Sequence, residues 1–411
     1  MAAQPPKTTG PAGEKPAADD TPLRSWIWPV LLVMSAAAVS QGFVRFTLGY
    51  VMPDMTRDLL GSYSAAGLLS ATNLGGYLVG VVALAWVGHR FEGTRLLKAG
   101  LALTALGLGL VAAAPSVPVL FVGMGLAGLC SSLVWIPIPS VVNAHVPARH
   151  RGLGFGLATA GIGVSIAVTG PLVTFLQGVF GAGEWRQVWA LETAVSVAVL
   201  LLLLFLRPVR RQAAEPSPQT ALWTALPGGG RLLLSYFLYG VSFVLYTNYL
   251  VVALREDLEF TPQAAGRAFA LLGIASIVGG AAGGRASDRI GRRPVLASCI
   301  AASGLLALVV PLGWSGAVLG ANLLYGLVMT SVGAVMVAYL GDILPPDRMA
   351  AGFGGVTASL GLAQVVGPPV GGWLADATGA FAPVFVLACV CGTVGGAVAA
   401  FLPATAAGRR G

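Results

Sequence analysis

"GGRASDRIGRR", residues 283–293, packs five charged side chains into eleven residues. It lies between an apolar run at 264–284, whose sole charge is Arg267, and one at 295–313 that has none. Each run is about 20 residues, the length that crosses a ~30 Å hydrocarbon core at 1.5 Å per residue. A short charged segment between two such runs reads as a loop that turns the chain back into a membrane. The alternation extends over all 411 residues, of which 56% are hydrophobic and 10% charged, with a mean hydropathy of +0.82. A soluble domain usually carries about 25% charged residues to solvate its surface. The chain therefore reads as an all-α membrane protein.

Twelve transmembrane helices are expected, at approximately 26–52, 64–87, 96–114, 117–141, 153–178, 188–206, 232–253, 264–284, 295–313, 315–340, 352–375 and 382–403. Polar segments divide them. Residues 1–24 are rich in Pro, Ala, Gly and charge and read as a disordered tail. They lack the basic-then-apolar order of a cleaved signal peptide, so the first span is expected to serve as an uncleaved insertion signal. Residues 207–231 read as a linker between a six-helix half at 25–206 and a second at 232–403, and 404–411 as a closing tail. Of the 24 Lys and Arg residues, 19 fall on the side of the termini, three (Arg57, Arg186, Arg255) on the other, and Arg45 and Arg267 within spans. The positive-inside rule then puts both termini in the cytoplasm of a cell whose inner membrane holds the protein.

The net charge of +8 comes from short loops rather than a basic domain, which speaks against nucleic acid as a partner. The four cysteines lie in apolar spans away from the three histidines, so neither a disulfide framework nor a metal site is expected, and no cofactor. No nucleophile–base pair suggests an enzyme.

The halves repeat one another. Gly154-Phe155-Gly156, Thr159 and Gly163 recur as Gly352-Phe353-Gly354, Thr357 and Gly361, each 198 residues later. An even number of spans separates the copies, so the halves run parallel, related by an axis along the membrane normal. Transporters with this architecture bind their cargo near mid-membrane between the halves.

Gly284, Asp288, Arg289, Gly291, Arg292 and Arg293 fit the pattern G-x-x-x-D-R-x-G-R-R. The pattern resembles the cytoplasmic signature of the major facilitator superfamily, found between spans 2 and 3 and again between spans 8 and 9. A carboxylate at a helix end can pair with arginines or a neighbouring helix N-terminus, contacts suited to a gate. The first-half copy, "AWVGHRFEGTR" (85–95), is degraded: His89 stands for the Asp, followed by Arg90, and Glu92 stands for the second Gly. The opening segment is similar to the bacterial YbfB/YjiJ-type group, through Arg45-Phe46 in span 1 and Asn73 with Gly76-Tyr77 in span 2. Three coupling or specificity marks of other relatives are absent: Phe121, Ile166 and Gly280 stand where they would fall.

Arg45 is the leading candidate for a substrate contact. It follows Trp26 by 19 residues, which puts it in the outer half of the expected span, where a charge costs about 2.5–3.5 kcal/mol on insertion scales. Aligning Gly42 with Gly240 sets Phe243 at the equivalent position, so the fold itself does not demand the arginine. It could anchor an anion, snorkel to outer headgroups, or bond helix-end carbonyls. Gln41 lies one turn earlier on the same face. Tyr239, Phe243 and Tyr246 share a face of span 7, which borders the cavity in the superfamily. Tyr77, Trp135, Asn248, Tyr325 and Gln364 complete the candidate lining with Asn73. Glu192 reads as an interfacial residue near the outer end of span 6. The runs "GGYLVG", "GGAAGG" and "GPPVGG" offer close packing where halves must rock.

The expected function is a monomeric secondary transporter that moves a small organic anion by rocker-switch alternating access, with proton coupling open. Its partners would be that solute and membrane lipids. Efflux of amphiphilic or aromatic compounds is the alternative within the class. A non-transporting sensor or lipid-handling scaffold is the alternative outside it.

Overall fold

The computed structural model describes residues 23–147, 150–181, 183–208, 228–345 and 348–404. Among these, the backbone is helical nearly throughout, as a hydrocarbon surround requires of groups with no water to bond. We label the spans α1 (Trp26–Leu60), α2 (Tyr63–Val87), α3 (Gly93–Ala112), α4 (Val117–His145), α5 (Arg151–Phe180), α6 (Trp185–Leu203), α7 (Gly229–Glu256), α8 (Pro262–Ile290), α9 (Arg292–Ala307), α10 (Ser315–Ile343), α11 (Met349–Thr378) and α12 (Ala382–Ala400). Ten of them are long and apolar enough to cross a membrane by those measures alone. Of the other two, α9 has 16 helical residues and α11 is diluted by glycine, proline and Gln364. Of the expected tails and linker, residues 1–22, 209–227 and 405–411 lie outside the described residues.

Local chemistry sets the helix ends. Ser62 caps α2 by accepting from the Ala65 amide at 3.1 Å, and Thr261 caps α8 from the Ala264 amide at 3.2 Å. Pro262 occupies the first turn of α8, where its missing N–H costs nothing. Gly61 (φ 74°) ends α1 and Gly379 (φ 69°) ends α11 in the left-handed conformation that glycine adopts without strain.

Several spans depart from expectation: α8 runs on to Ile290, α9 ends at Ala307 rather than 313, and α1 and α4 differ in ways that bear on the site. α1 continues past residue 52 to Leu60, because Asp54, Arg57 and Asp58, which read as the end of the span, find charged partners that keep them helical. It also contains a π-helical segment at Ala38–Phe43. There Gly42 lies so close to α5 that a Cβ would overlap the Ser165 hydroxyl. α4 runs beyond 141 to His145 but breaks at Ile136–Pro137, where proline removes a backbone donor.

The halves share one packing plan. In the first, α2 packs on α4, α4 on α3, and α3 on α6; in the second, α8 packs on α10, α10 on α9, and α9 on α12. The halves meet along α5 with α8 and α2 with α11, the exchange a pseudo-two-fold axis produces. Two of the three glycine runs reach across between halves: Gly372 sits against Tyr63 of α2, and in the 75–80 run Gly75 faces Val365 and Leu78 packs over Gly361 of α11. Gly76 and Gly80 instead bring α2 against α4, and Gly279 and Gly283 bring α8 against α10.

The bundle is closed at one end. At the other end, where α1 begins and α12 ends (the terminal end), Gly152 and Gly156 of α5 and Gly354 of α11 have nothing within 4 Å of a would-be Cβ, and the same holds for Gly178 of α5 and Gly316 and Gly320 of α10 toward the closed end. Among the described residues, hydrogen bonds between the halves are confined to the opposite end and the two turns below it.

Candidate functional site

Arg45 stands 15 residues from Leu60 and 19 from Trp26 along α1, or about 22 and 28 Å at 1.5 Å per residue. It is therefore near mid-bundle and not in the outer half that a span ending at 52 implies. Its guanidinium lies over the Tyr77 ring, 4.4 Å from the centroid. Nε and Nη2 are buried with no hydrogen-bond partner. The residue as a whole is half-buried, as is Tyr77.

Helical periodicity orients the pair. Gly49, one turn beyond Arg45, meets the backbone of Thr247 and Asn248 on α7, so this face of α1 looks at the second half. Ser70, two turns before Tyr77 on α2, accepts a 2.7 Å bond from Asn248 Nδ2. That bond closes the space above the arginine, on the side away from the terminal end. Arg45 and Tyr77 thus lie on the terminal-end side of that bond.

The other candidate side chains are mostly engaged elsewhere. Gln41 donates to the Ser131 carbonyl at 3.3 Å and Asn73 to the Met124 carbonyl at 3.0 Å, both bridges to α4. Tyr239 donates to the Met329 carbonyl at 2.9 Å, and Tyr246 to Asn322 Oδ1 at 2.8 Å while stacking on Tyr325. These tie α7 to α10, with the Tyr325 hydroxyl and Ser242 Oγ buried and unpartnered beside them. Phe243 remains half-buried, 6.0 Å from the Tyr239 ring, and Trp135 is half-buried at the α4 break. Gln364 is 9% exposed in α11.

The charged motif works inside the second half in this conformation. Arg292 bonds Asp288 at 2.5 Å, Ser287 Oγ at 2.6 Å and Asp342 of α10 at 3.4 Å. Arg293 donates to the Leu402 carbonyl at 3.2 Å. Gly291 (φ 109°) makes the turn between α8 and α9. Gly284 has open space where a Cβ would go, and Arg289 is exposed on the last turn of α8. On the first half Arg90 is exposed, and the side chain of His89 lies outside the described residues. Of the partners expected for the motif carboxylate, Asp288 has an arginine, Arg292, which also reaches Asp342 at the end of α10.

A latch at the opposite end was not foreseen. Asp54 of α1, 2% exposed, receives Arg255 of α7 at 3.0 and 3.2 Å, and also Gln177 of α5 at 3.1 Å. Arg57 pairs with Glu256. Asp376 of α11 accepts from the Tyr63 and Ser64 amides at 3.0 and 2.8 Å, filling the anion-seeking N-terminus of α2. Asp257 does the same for the Phe381 amide at 2.7 Å. Carboxylates and arginines on the matching ends of α1 and α7 were the available sequence signal. Glu192 departs from expectation too: it is 1% exposed, enclosed within the first half.

Comparison with known proteins agrees with this architecture. A family model described as "Uncharacterised MFS-type transporter YbfB" matches residues 37–400. Monocarboxylate transporter 11 of Mus musculus is 27% identical over 385 residues, covering 88% of this chain and 84% of that one. The probable nitrate/nitrite transporter NarK2 of Mycobacterium tuberculosis (strain ATCC 25618 / H37Rv) is 28% identical over 268 residues, covering 63% and 66%. A bacterial homolog of the human lysosomal transporter Spinster, solved in an inward-facing, unoccupied conformation, superposes with a TM-score of 0.72 at 15% identity, covering 94% and 96%.

Proposed function

Because the chain belongs to the major facilitator superfamily, in the family of the MFS-type transporter YbfB, we propose that it is a secondary transporter for a small organic anion. The cargo binds at Arg45 and Tyr77 and crosses by alternating access of the two halves. The observation that carries this reading is the pair of guanidinium nitrogens, Nε and Nη2, buried with no acceptor. A donor left unsatisfied costs about 1–3 kcal/mol, more when charged. A carboxylate arriving from the open end would satisfy both with the fork geometry arginine favours. Snorkelling and carbonyl bonding, the competing readings, would each supply those nitrogens with partners. Relatives described as transporters of monocarboxylates and of nitrate are consistent with a small monovalent anion.

The excess of Lys and Arg on the terminal side puts that side in the cytoplasm. The conformation described is then inward-open, sealed outside by Asp54–Arg255 and its neighbours. A bacterial inner membrane is the natural setting for this arrangement, with a monomer as the working unit.

Counterflow of labelled L-lactate and of nitrate in proteoliposomes tests the reading. Wild-type protein exchanges at least one of them, and Arg45→Gln lowers its affinity about tenfold or more while the protein stays folded. Unchanged affinity in the variant would remove Arg45 from the site. Exchange of amphiphilic dyes with neither anion moved would favour the efflux reading, in which half-buried Phe243 and Trp135 line the path. Binding without exchange of any solute would favour a sensor.

A further inference from the structure

Glu192 has no part in the mechanism above, yet its placement is costly. Its side chain projects from α6 about 11 Å along the helix from Trp185, 1% exposed. Thr47 Oγ1 of α1 donates to Oε1, while Oε2 is buried without a partner. The helices packed on α6 are α1, α3 and α5. Their charged groups are placed elsewhere: Arg45 lies over the Tyr77 ring, Asp54 pairs with Arg255, Arg57 with Glu256, and Lys98 donates to the Leu204 and Leu206 carbonyls. Arg95 pairs with Glu92, Arg151 begins α5 at the terminal end, and Asp58 pairs with Arg186 of α6 itself. No Lys, Arg or His among the described residues is within ion-pair distance of Glu192. An ionised carboxylate here would exchange its hydration for one hydroxyl, a heavy cost in an apolar surround.

Thr47 is what makes the position consequential. It lies two residues from Arg45 and two from Gly49, so at 100° per residue it points away from the face that meets α7. α1 is thus held between Glu192 behind and the second half in front. We propose that Glu192 is a proton-binding site whose occupancy sets how α1 rests on α6, and with it the position of Arg45. Binding forms one O–H bond at the free oxygen and breaks one in a hydronium ion of the solvent, which is left as water, and Thr47 continues to donate to the other oxygen. Release reverses this and charges the carboxylate beneath α1. The step from α1 to cargo movement rests on the transporter reading; the proton site does not.

Infrared difference spectra of the purified protein across a pH titration read the site directly. Wild type shows a pH-dependent carbonyl stretch of a neutral carboxylic acid, Glu192→Gln lacks it, and Thr47→Val keeps it at higher frequency, having lost the hydrogen bond. In proteoliposomes an imposed pH gradient accumulates labelled L-lactate or nitrate in wild type. Glu192→Gln keeps exchange but loses gradient-driven accumulation at least tenfold. No band lost in Glu192→Gln, a band that answers to Na+ and not to pH, or wild-type accumulation in the variant would overturn the proposal. If wild type shows the band but exchanges neither anion, the proton site stands and the anion reading fails.

Discussion

Arg45 and Tyr77 form a unit in which each residue answers a need of the other. The ring face offers the guanidinium a negative quadrupole without saturating its donors, worth about 0.5–2 kcal/mol depending on solvation. The donors remain available to a ligand. Tyr77→Phe retains the ring and should leave anion affinity within about twofold of wild type. Tyr77→Leu removes the platform and should weaken it by up to about tenfold, as read by titration of L-lactate or nitrate against thermal stability. Equal losses in both variants would mean that the hydroxyl and not the ring is what counts. Arg45 was legible because a lone charge in an apolar run is expensive, and Tyr77 through the family pattern. The depth of Arg45 was not legible, since Asp54, Arg57 and Asp58 imitate the end of a span until their partners are known. Glu192 was misread for the related reason that burial depends on which helices surround α6, which spacing along one chain does not reveal.

The ends of α1 and α7 show how a boundary between elements becomes a gate. Arg255 is 11% exposed and Asp54 2%, so the pair is nearly desolvated. Removing one partner of such a pair costs about 3–5 kcal/mol, because the other stays buried and unpaired. The cost falls only on the conformation in which the ends touch. Asp54→Asn should therefore favour opening at this end rather than unfolding the protein. Spin labels at Ala113 and Leu312, in the segments that follow α3 and α9 at this end, should move apart in the variant, and the exchange Asp54→Arg with Arg255→Asp should restore part of the wild-type distance. A distance distribution indifferent to Asp54→Asn would make the pair ordinary packing. The twelve spans, the two halves and their parallel sense were all present in hydropathy and the 198-residue repeat. The latch was not, because its partners lie 201 residues apart and meet only once the halves have docked. The charged motif shows the converse. Its residues were evident in sequence, but the structure gives them partners on α8, α10 and the end of α12, all within one half.

For the whole molecule, the question is whether opening at one end requires closing at the other. The extensive contacts, α5 on α8 and α2 on α11, run between halves with glycines at close approach, Gly170 on Gly266 and Gly67 on Pro368. Such backbone-to-backbone packing resists stretching but lets two stiff bodies tilt about it, so the ends should move in opposition. Gly156 and Gly354 are repeat equivalents on α5 and α11 with free space around them at the terminal end. Cysteines at both positions should react slowly with a short bis-maleimide in wild type if the terminal end is the open one. In the Asp54→Asn background, with the latch broken, the cross-link yield should rise several-fold, and the linked protein should no longer exchange solute. If the labels at Ala113 and Leu312 separate while the cross-link yield stays at its wild-type value, the latch end loosens by itself. Rigid rocking would then have to give way to bending within α1, for which the π-helical turns at Ala38–Phe43 and Thr56–Leu60 are the structural candidates.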